Sequence, residues 1–254
     1  MAESAELPPG MVEATMIANS DHVLRKLDYG RRFTPEEQEV LRRLPVQIAS
    51  FRAGHHLVRE GDRPKRCFVL LDGFICASKH LGEGRRQIAS FYVPGDIPDL
   101  QSLHLKVMDI AFDTVTPCTV ALVAHEALQN LCNDHPRLAS ALWRTTLVDA
   151  AIYREWVATV GQRSADARLA HLFCELFLRL NAVGLTEQNS CEWPMTQAEL
   201  GDAAGISVVH VNRTLQKLRA DKLIQLGNKR LTILDWDRLC AVADFDATYL
   251  HLDD

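Results

Sequence analysis

The sequence has no cysteine pair at C-x-x-C spacing, although it holds seven cysteines, at 67, 76, 118, 132, 174, 191 and 240. An odd number without framework spacing argues against a disulfide-stapled secreted module and predicts reduced thiols in the cytoplasm. No apolar run approaches the ~18 residues of a membrane span, and the N-terminus lacks the basic-then-apolar order of a secretory leader. Neither membrane nor export is therefore expected. A glycine-rich phosphate loop, a G-x-S-x-G elbow and an H-E-x-x-H pair are also missing. With them go the familiar routes to nucleotide hydrolysis, acyl transfer and zinc hydrolysis, so no enzymatic activity is expected. His55-His56 has no third ligand at metal spacing, and no structural metal or other cofactor is expected.

What is present is an ordinary globular balance, 47% hydrophobic and 24% charged in 254 residues, enough for two domains with a sizeable core. The net charge of −5 does not advertise a nucleic-acid partner, but the charge is uneven. Between 206 and 230 stand Arg213, Lys217, Arg219, Lys222, Lys229 and Arg230 against a single acid, Asp221. From 235 onward the acids dominate, with Arg238 the one lysine or arginine. A local positive face suffices for DNA, because phosphate attraction is screened within about 10 Å at ordinary salt.

Residues 1–34 carry few signals and read as a loose arm with a short helix. Thr34 then caps a helix that opens on Pro35. Short β-rich runs follow at 47–51, 56–59, 67–71, 74–79, 87–92, 111–115 and 119–124, punctuated by glycines, as in a compact β barrel or roll. Pro136 opens a long helix to about 160 with more than one apolar stripe. Leu138, Leu142, Ile152, Tyr153, Trp156 and Val160 are its candidate dimer seam. Packing against its own domain is the alternative, and Asp149 sits awkwardly in the middle. Residues 161–164 read as a hinge, with Ser164 capping an amphipathic helix over 165–180.

The stretch from Met195 to Arg219 is the informative one. Thr196 and Glu199 form a capping box. Gly205 stands where the chain must turn sharply, and Ser207 caps a second helix. Val211, Leu215 and Leu218 at i, i+4, i+7 form that helix's buried side. Its other side presents Val208, Val209, Asn212, Arg213, Gln216 and Lys217. This is what a DNA recognition helix requires, its first half entering the major groove. Arg213 can grip guanine O6 and N7 in a bidentate contact, worth roughly 1–3 kcal/mol of discrimination. The two valines can pack on thymine methyls. Thr196, Gln197, Ser207, His210 and Lys217 are placed for phosphates, which position without specifying. Lys229 and Arg230 lie between two short strands, 224–226 and 231–234, as a basic wing tip.

These residues carry a resemblance. The 195–234 stretch resembles the winged helix-turn-helix of the Crp/Fnr family. Residues 46–125 are similar to its cyclic-nucleotide-binding-type β-roll, through Phe51-x-x-Gly54, Glu60-Gly61-Asp62, the run from Phe68 to Gly73, and Pro94-Gly95-Asp96 in the family's order. The likeness covers roughly residues 35–236. It implies an α+β chain: a β-roll sensor of double-stranded β-helix or jelly-roll type with a helical arm (1–135), a dimerisation helix (136–161) and a winged helix-turn-helix (162–254) ending in an acidic tail. It puts the base-reading roles on Val208, Val209 and Arg213. Where the family has a glutamate this chain has Val209, which leaves the preferred half-site open.

In members that bind cyclic AMP, a Gly-Glu pair and a later Arg-Ser pair hold the ribose and cyclic phosphate. Here the corresponding region is degenerate at Asp99, Met108 and Asp109. An anion needs opposed charge or free N–H donors, and a carboxylate repels it; Lys106 is the one cation near enough to compensate. Cyclic nucleotides are not expected to bind productively. Iron–sulfur sensing by clustered N-terminal cysteines fits poorly, because the first cysteine is Cys67. Haem would need an axial histidine, for which His22, His55, His56, His80 and His104 are candidates, each more simply a surface residue. The reading is a homodimeric, sequence-specific transcription regulator acting on an inverted repeat in double-stranded DNA. RNA polymerase and an unnamed small-molecule effector are the further partners it leaves open. The alternative is an effector-binding module, sensing a cyclic nucleotide, haem or redox state, that acts through a protein partner.

Overall fold

The structure is a computed structural model that describes residues 12–15, 21–28 and 33–252. Much of the expected N-terminal arm lies outside these residues. What is described of it is strand β1 (Val12–Thr15) and helix α1 (Asp21–Asp28). Then come α2 (Pro35–Arg42), β2 (Pro45–Phe51), β3 (His56–Val58), β4 (Arg66–Asp72), β5 (Ile75–His80), β6 (Arg86–Tyr92), β7 (Ala111–Thr114) and β8 (Cys118–Ala124). The second half holds α3 (His125–Asp134), α4 (Pro136–Gln162), α5 (Ala165–Ala182), β9 (Thr186–Glu187), β10 (Ser190–Glu192), α6 (Gln197–Ala204), α7 (Val208–Ala220), β11 (Ile224–Gly227), β12 (Arg230–Ile233) and α8 (Trp236–Ala243).

The chain divides into two compact units. Among the described residues, the first gathers those up to Ser78 with Tyr92–Asp149. The second gathers Lys79–Phe91 with Ala150–Leu252. The expected β-roll has two antiparallel four-stranded sheets, ordered β1-β2-β8-β4 and β3-β7-β5-β6. Strand β4 shows why its sequence reads as a continuous apolar run. Cys67, Val69 and Leu71 enter one core cluster and Phe68 and Leu70 the other, because alternate side chains leave opposite faces of a strand and both faces are covered. Thr34 caps α2 in a full capping box with Glu37, and Pro35 stands at the first position, as the sequence indicates. Helix α3 was not expected. Its N-cap is Ala124, which makes no side-chain cap hydrogen bond, so the usual start signal is missing.

Helix α4 requires a correction. Leu138 is 1% exposed, and with Leu142 it packs in the cluster containing Val69 and Ala121. Ile152 and Trp156 are buried as well, and the Trp156 indole N–H donates to Glu175 Oε2 at 2.9 Å. These four side chains serve the chain's own cores and cannot form a surface seam; Tyr153 and Val160 are half-buried. The apolar residues left outside are Trp143, Leu147 and Val157, at 67%, 54% and 74% exposure. Successive spacings of four and ten residues bring them within one stripe of an α-helix.

The hinge is shorter than 161–164. Helix α4 runs through Gly161 and Gln162, and the break falls at Arg163 and Ser164, whose hydroxyl caps α5 by accepting from Ala167 N–H. Arg163 is pinned: its guanidinium donates to Glu155 Oε1 at 2.6 Å, Thr159 Oγ1 at 2.5 Å and the Asp244 carbonyl at 2.9 Å. Up to Leu252 the acidic C-terminal stretch is structured. Asp235 caps α8, Asp246 caps a 3-10 turn over Ala247–Leu250, and Leu239, Ala243 and Leu250 are buried. Tyr249 donates its hydroxyl to Glu175 Oε2 at 2.8 Å. That carboxylate is fully buried and also receives Trp156 and, at 3.1 Å on Oε1, Arg179. A buried charge with three donors is compensated.

Candidate nucleic-acid interface

The site is built on α6 and α7 in the second unit. Thr196 and Glu199 cap α6 reciprocally: Glu199 N–H donates to Thr196 Oγ1 at 3.2 Å, and Thr196 N–H to Glu199 Oε2 at 2.7 Å. Gly205 ends α6 in the left-handed region, at φ +65°, a conformation a side chain would strain. Gly201 answers a different need. A Cβ there would stand 2.8 Å from the Ile206 carbonyl oxygen, so the close turn between the helices requires its absence. The guanidinium of Arg168 donates to the Ala204 carbonyl at 2.9 Å. It thus satisfies a carbonyl at the end of α6, where a cation also favours the helix dipole.

Ser207 caps α7 by accepting from His210 N–H at 3.3 Å. Val211, Leu215 and Leu218 are buried, joined by Thr214. On the opposite side Val208 and Val209 are 48% and 64% exposed, and His210, Arg213, Gln216 and Lys217 are exposed too. Two solvent-facing valines at a helix start contribute nothing to the protein's own core. A shallow concavity beside them is lined by Asp166, Ser207, Val209, His210, Arg213 and Lys217. Three of the expected DNA-facing groups, Asn212, Gln197 and Lys217, are already engaged within the chain. Asn212 Nδ2 donates to Gln197 Oε1 at 3.3 Å. Lys217 is ion-paired with Asp166, and that hydrogen bond together with the acid's charge raises its ammonium above the ordinary lysine value.

The wing is larger than two strands. The sheet order β11-β12-β10-β9 adds the 186–192 hairpin to the two strands read from the sequence. Gly227 pairs with Arg230, and Asn228 and Lys229 between them have φ of 52° and 56°, the primed turn that matches strand twist. Lys229 is therefore the tip. Arg230 opens β12 and donates to Glu187 Oε2 at 2.6 Å, so a phosphate would have to compete with a carboxylate for it. The sequence holds no cue to these long-range partners, since Glu187, Asp166 and Arg168 are ordinary surface charges until the fold assembles.

In the β-roll, Met108 is buried in the cluster with Phe112 and Tyr92, while Asp109 is exposed. Asp99 is wholly buried. Its Oδ1 accepts from Phe68 N–H at 2.9 Å and its Oδ2 has no hydrogen-bond partner. Burial pushes this carboxyl up to about 8, against hydrogen bonds that lower it. A core methionine and a neutral buried acid supply no positive charge for an anion.

The chain matches the family model for a cyclic nucleotide-binding domain over residues 48–135 and that for a Crp-like helix-turn-helix domain over residues 167–242. The chain belongs to the Crp/Fnr family. The regulator is 24% identical over 210 residues to the transcriptional activator protein Anr of Pseudomonas aeruginosa, which covers 83% of this chain and 86% of that protein. It is 26% identical over 195 residues to the nitrogen fixation regulation protein FixK of Bradyrhizobium diazoefficiens, covering 76% and 80%. In fold it is similar to FixK2 from Bradyrhizobium japonicum, with a TM-score of 0.71 at 22% identity over 78% of this chain and 96% of that one. The relatives are transcription regulators rather than enzymes, and the chain is a DNA-binding transcription regulator of this type. Among the described residues no helix is long and apolar enough to cross a membrane.

Proposed function

We propose that the regulator acts in the cytoplasm as a homodimer, reads an inverted repeat through paired α7 helices, and does not respond to cyclic AMP. The observation that carries the reading is the division of α7 between a fully buried side and a side bearing Val208, Val209, Arg213 and Gln216. Helices paired by the two-fold axis of a dimer read half-sites about 34 Å apart. The exposed Trp143–Leu147–Val157 stripe of α4 supports self-association, because isolated apolar side chains of this size rarely line up on a monomer's surface. Thr196, Gln197, Ser207, His210 and Lys229 supply phosphate contacts in this reading, with Lys217 and Arg230 joining once released from their acids. The filled positions at Asp99 and Met108 support indifference to cyclic nucleotides.

Selection of binding sites from random DNA, followed by titration of the winning site, tests the assignment. Arg213→Ala should cost about 1–3 kcal/mol on the selected site and relax one position of it, with little change on unrelated DNA. An equal loss on both would make Arg213 a phosphate contact, and no enrichment of any site would end the sequence-specific reading.

A further inference from the structure

The sulfurs of Cys174 on α5 and Cys240 on α8 stand 3.9 Å apart in the DNA-binding unit. Cys174 is fully buried and Cys240 half-buried, so one thiol meets solvent and the other waits behind it. The two helices pack against each other along their length through other side chains: Phe177 lies 5.7 Å from Trp236 between ring centroids, and Leu239 and Leu176 are both fully buried. The helices are thus held together independently of the sulfurs, which would have to close from 3.9 Å to the ~2.05 Å of a disulfide.

We propose that Cys174 and Cys240 are an oxidisable dithiol, taken to a disulfide by a hydroperoxide, and that this bond staples α5 to α8. In the first step the Cys240 sulfur, as thiolate, attacks the outer oxygen of the hydroperoxide. A sulfur–oxygen bond forms, the oxygen–oxygen bond breaks, and the other oxygen leaves as water or an alcohol after taking a proton. In the second step the Cys174 sulfur attacks Cys240, the sulfur–sulfur bond forms, and the hydroxyl departs as water with the Cys174 proton. Two thiols lose two electrons and one peroxide gains them.

Two consequences can be measured. Burial raises both thiols above the ordinary cysteine range, which keeps the pair protonated and slow at neutral pH. Oxidation should therefore quicken severalfold for each pH unit between 7 and 9, following the thiolate fraction. The bond would also close a loop of 66 residues that contains α6, α7 and the whole wing. A loop of that size should raise the melting temperature of the unit by roughly 10 °C or more.

The test treats the full chain with hydrogen peroxide, digests it with trypsin without reduction, and looks for peptide 169–179 joined to peptide 239–254. The expected result is that joined pair, two hydrogens lighter than the sum of its parts, with the melting temperature raised and restored by dithiothreitol. Cys240→Ser, at a half-buried position that tolerates a hydroxyl, should abolish both. Stable sulfinic acid on Cys240 with no joined peptide would overturn the proposal. So would joined peptides that involve other cysteines while Cys174 stays reduced, or a Cys240→Ser chain that stiffens as much as the parent. None of these outcomes depends on DNA binding.

Discussion

Asp99 shows how a single buried residue can make the β-roll's stability depend on pH. Its carboxyl titrates near 8 in the folded chain against an ordinary value of 3.8. Between those values the folded state keeps a proton that the unfolded state has lost. Stability therefore falls as pH rises through that window, at a rate on the order of 1 kcal/mol per pH unit. Asparagine cannot ionise, and its Oδ1 can still accept from Phe68 N–H. Asp99→Asn should accordingly gain on the parent steadily from pH 5 to pH 8, as read by urea denaturation at each pH. A difference that stays flat over the range would mean that Asp99 is already ionised at pH 5, with a partner supplied in solution. The same residue bears on the proposed indifference to cyclic AMP, because a neutral acid and the core residue Met108 offer an anion no positive charge.

At the scale of elements, helix α4 is where the sequence was least able to decide. It carries two apolar stripes, and periodicity alone cannot say which one faces the chain's own core. Leu138, Leu142, Ile152 and Trp156 take the inner positions, leaving Trp143, Leu147 and Val157 outside. The two stripes make opposite predictions. If α4 carries the proposed homodimer seam, Trp143→Glu with Leu147→Glu should leave the monomer folded while converting dimer to monomer in sedimentation and weakening operator binding at least tenfold. Leu138→Ala should instead destabilise the fold by about 2–5 kcal/mol and leave association intact in whatever remains folded. If the double glutamate variant still sediments as a dimer, the seam lies elsewhere. Elements with local start signals were legible without the fold: the caps at Thr34, Ser164, Thr196 and Ser207, the left-handed Gly205, and the short glycine-punctuated strands of the β-roll. Elements without them were not. Helix α3 starts on an uncapped alanine. The 186–192 hairpin is made by pairing with β12, and the C-terminal acids read as a charged tail because their capping roles exist only once α8 and the 3-10 turn form.

For the molecule as a whole, the order of the sequence and the order of packing part company at Lys79–Phe91. This segment lies within the stretch that matches a cyclic nucleotide-binding domain, residues 48–135, yet it packs into the DNA-binding unit. Three contacts carry it. Arg86 pairs with Asp202 of α6, both Nε and the second terminal nitrogen lying 2.8 Å from Oδ2, and the Gln87 side-chain amide donates to the Ala203 carbonyl at 3.1 Å. Phe91 lies edge-on to Trp156, 6.1 Å between centroids. The fork geometry and partial burial of the Arg86–Asp202 pair lift it above an ordinary exposed ion pair, so a coupling of roughly 1 kcal/mol is expected. The segment thus belongs to the same compact unit as α6, the helix that precedes the recognition helix. A double-mutant cycle of Arg86→Ala and Asp202→Ala on thermal stability separates a specific coupling from incidental contact. The two losses should be strongly non-additive, and each single variant should lower operator affinity more than it lowers stability, because α6 positions α7. Additive losses, or a DNA affinity that follows stability alone, would reduce the segment to packing.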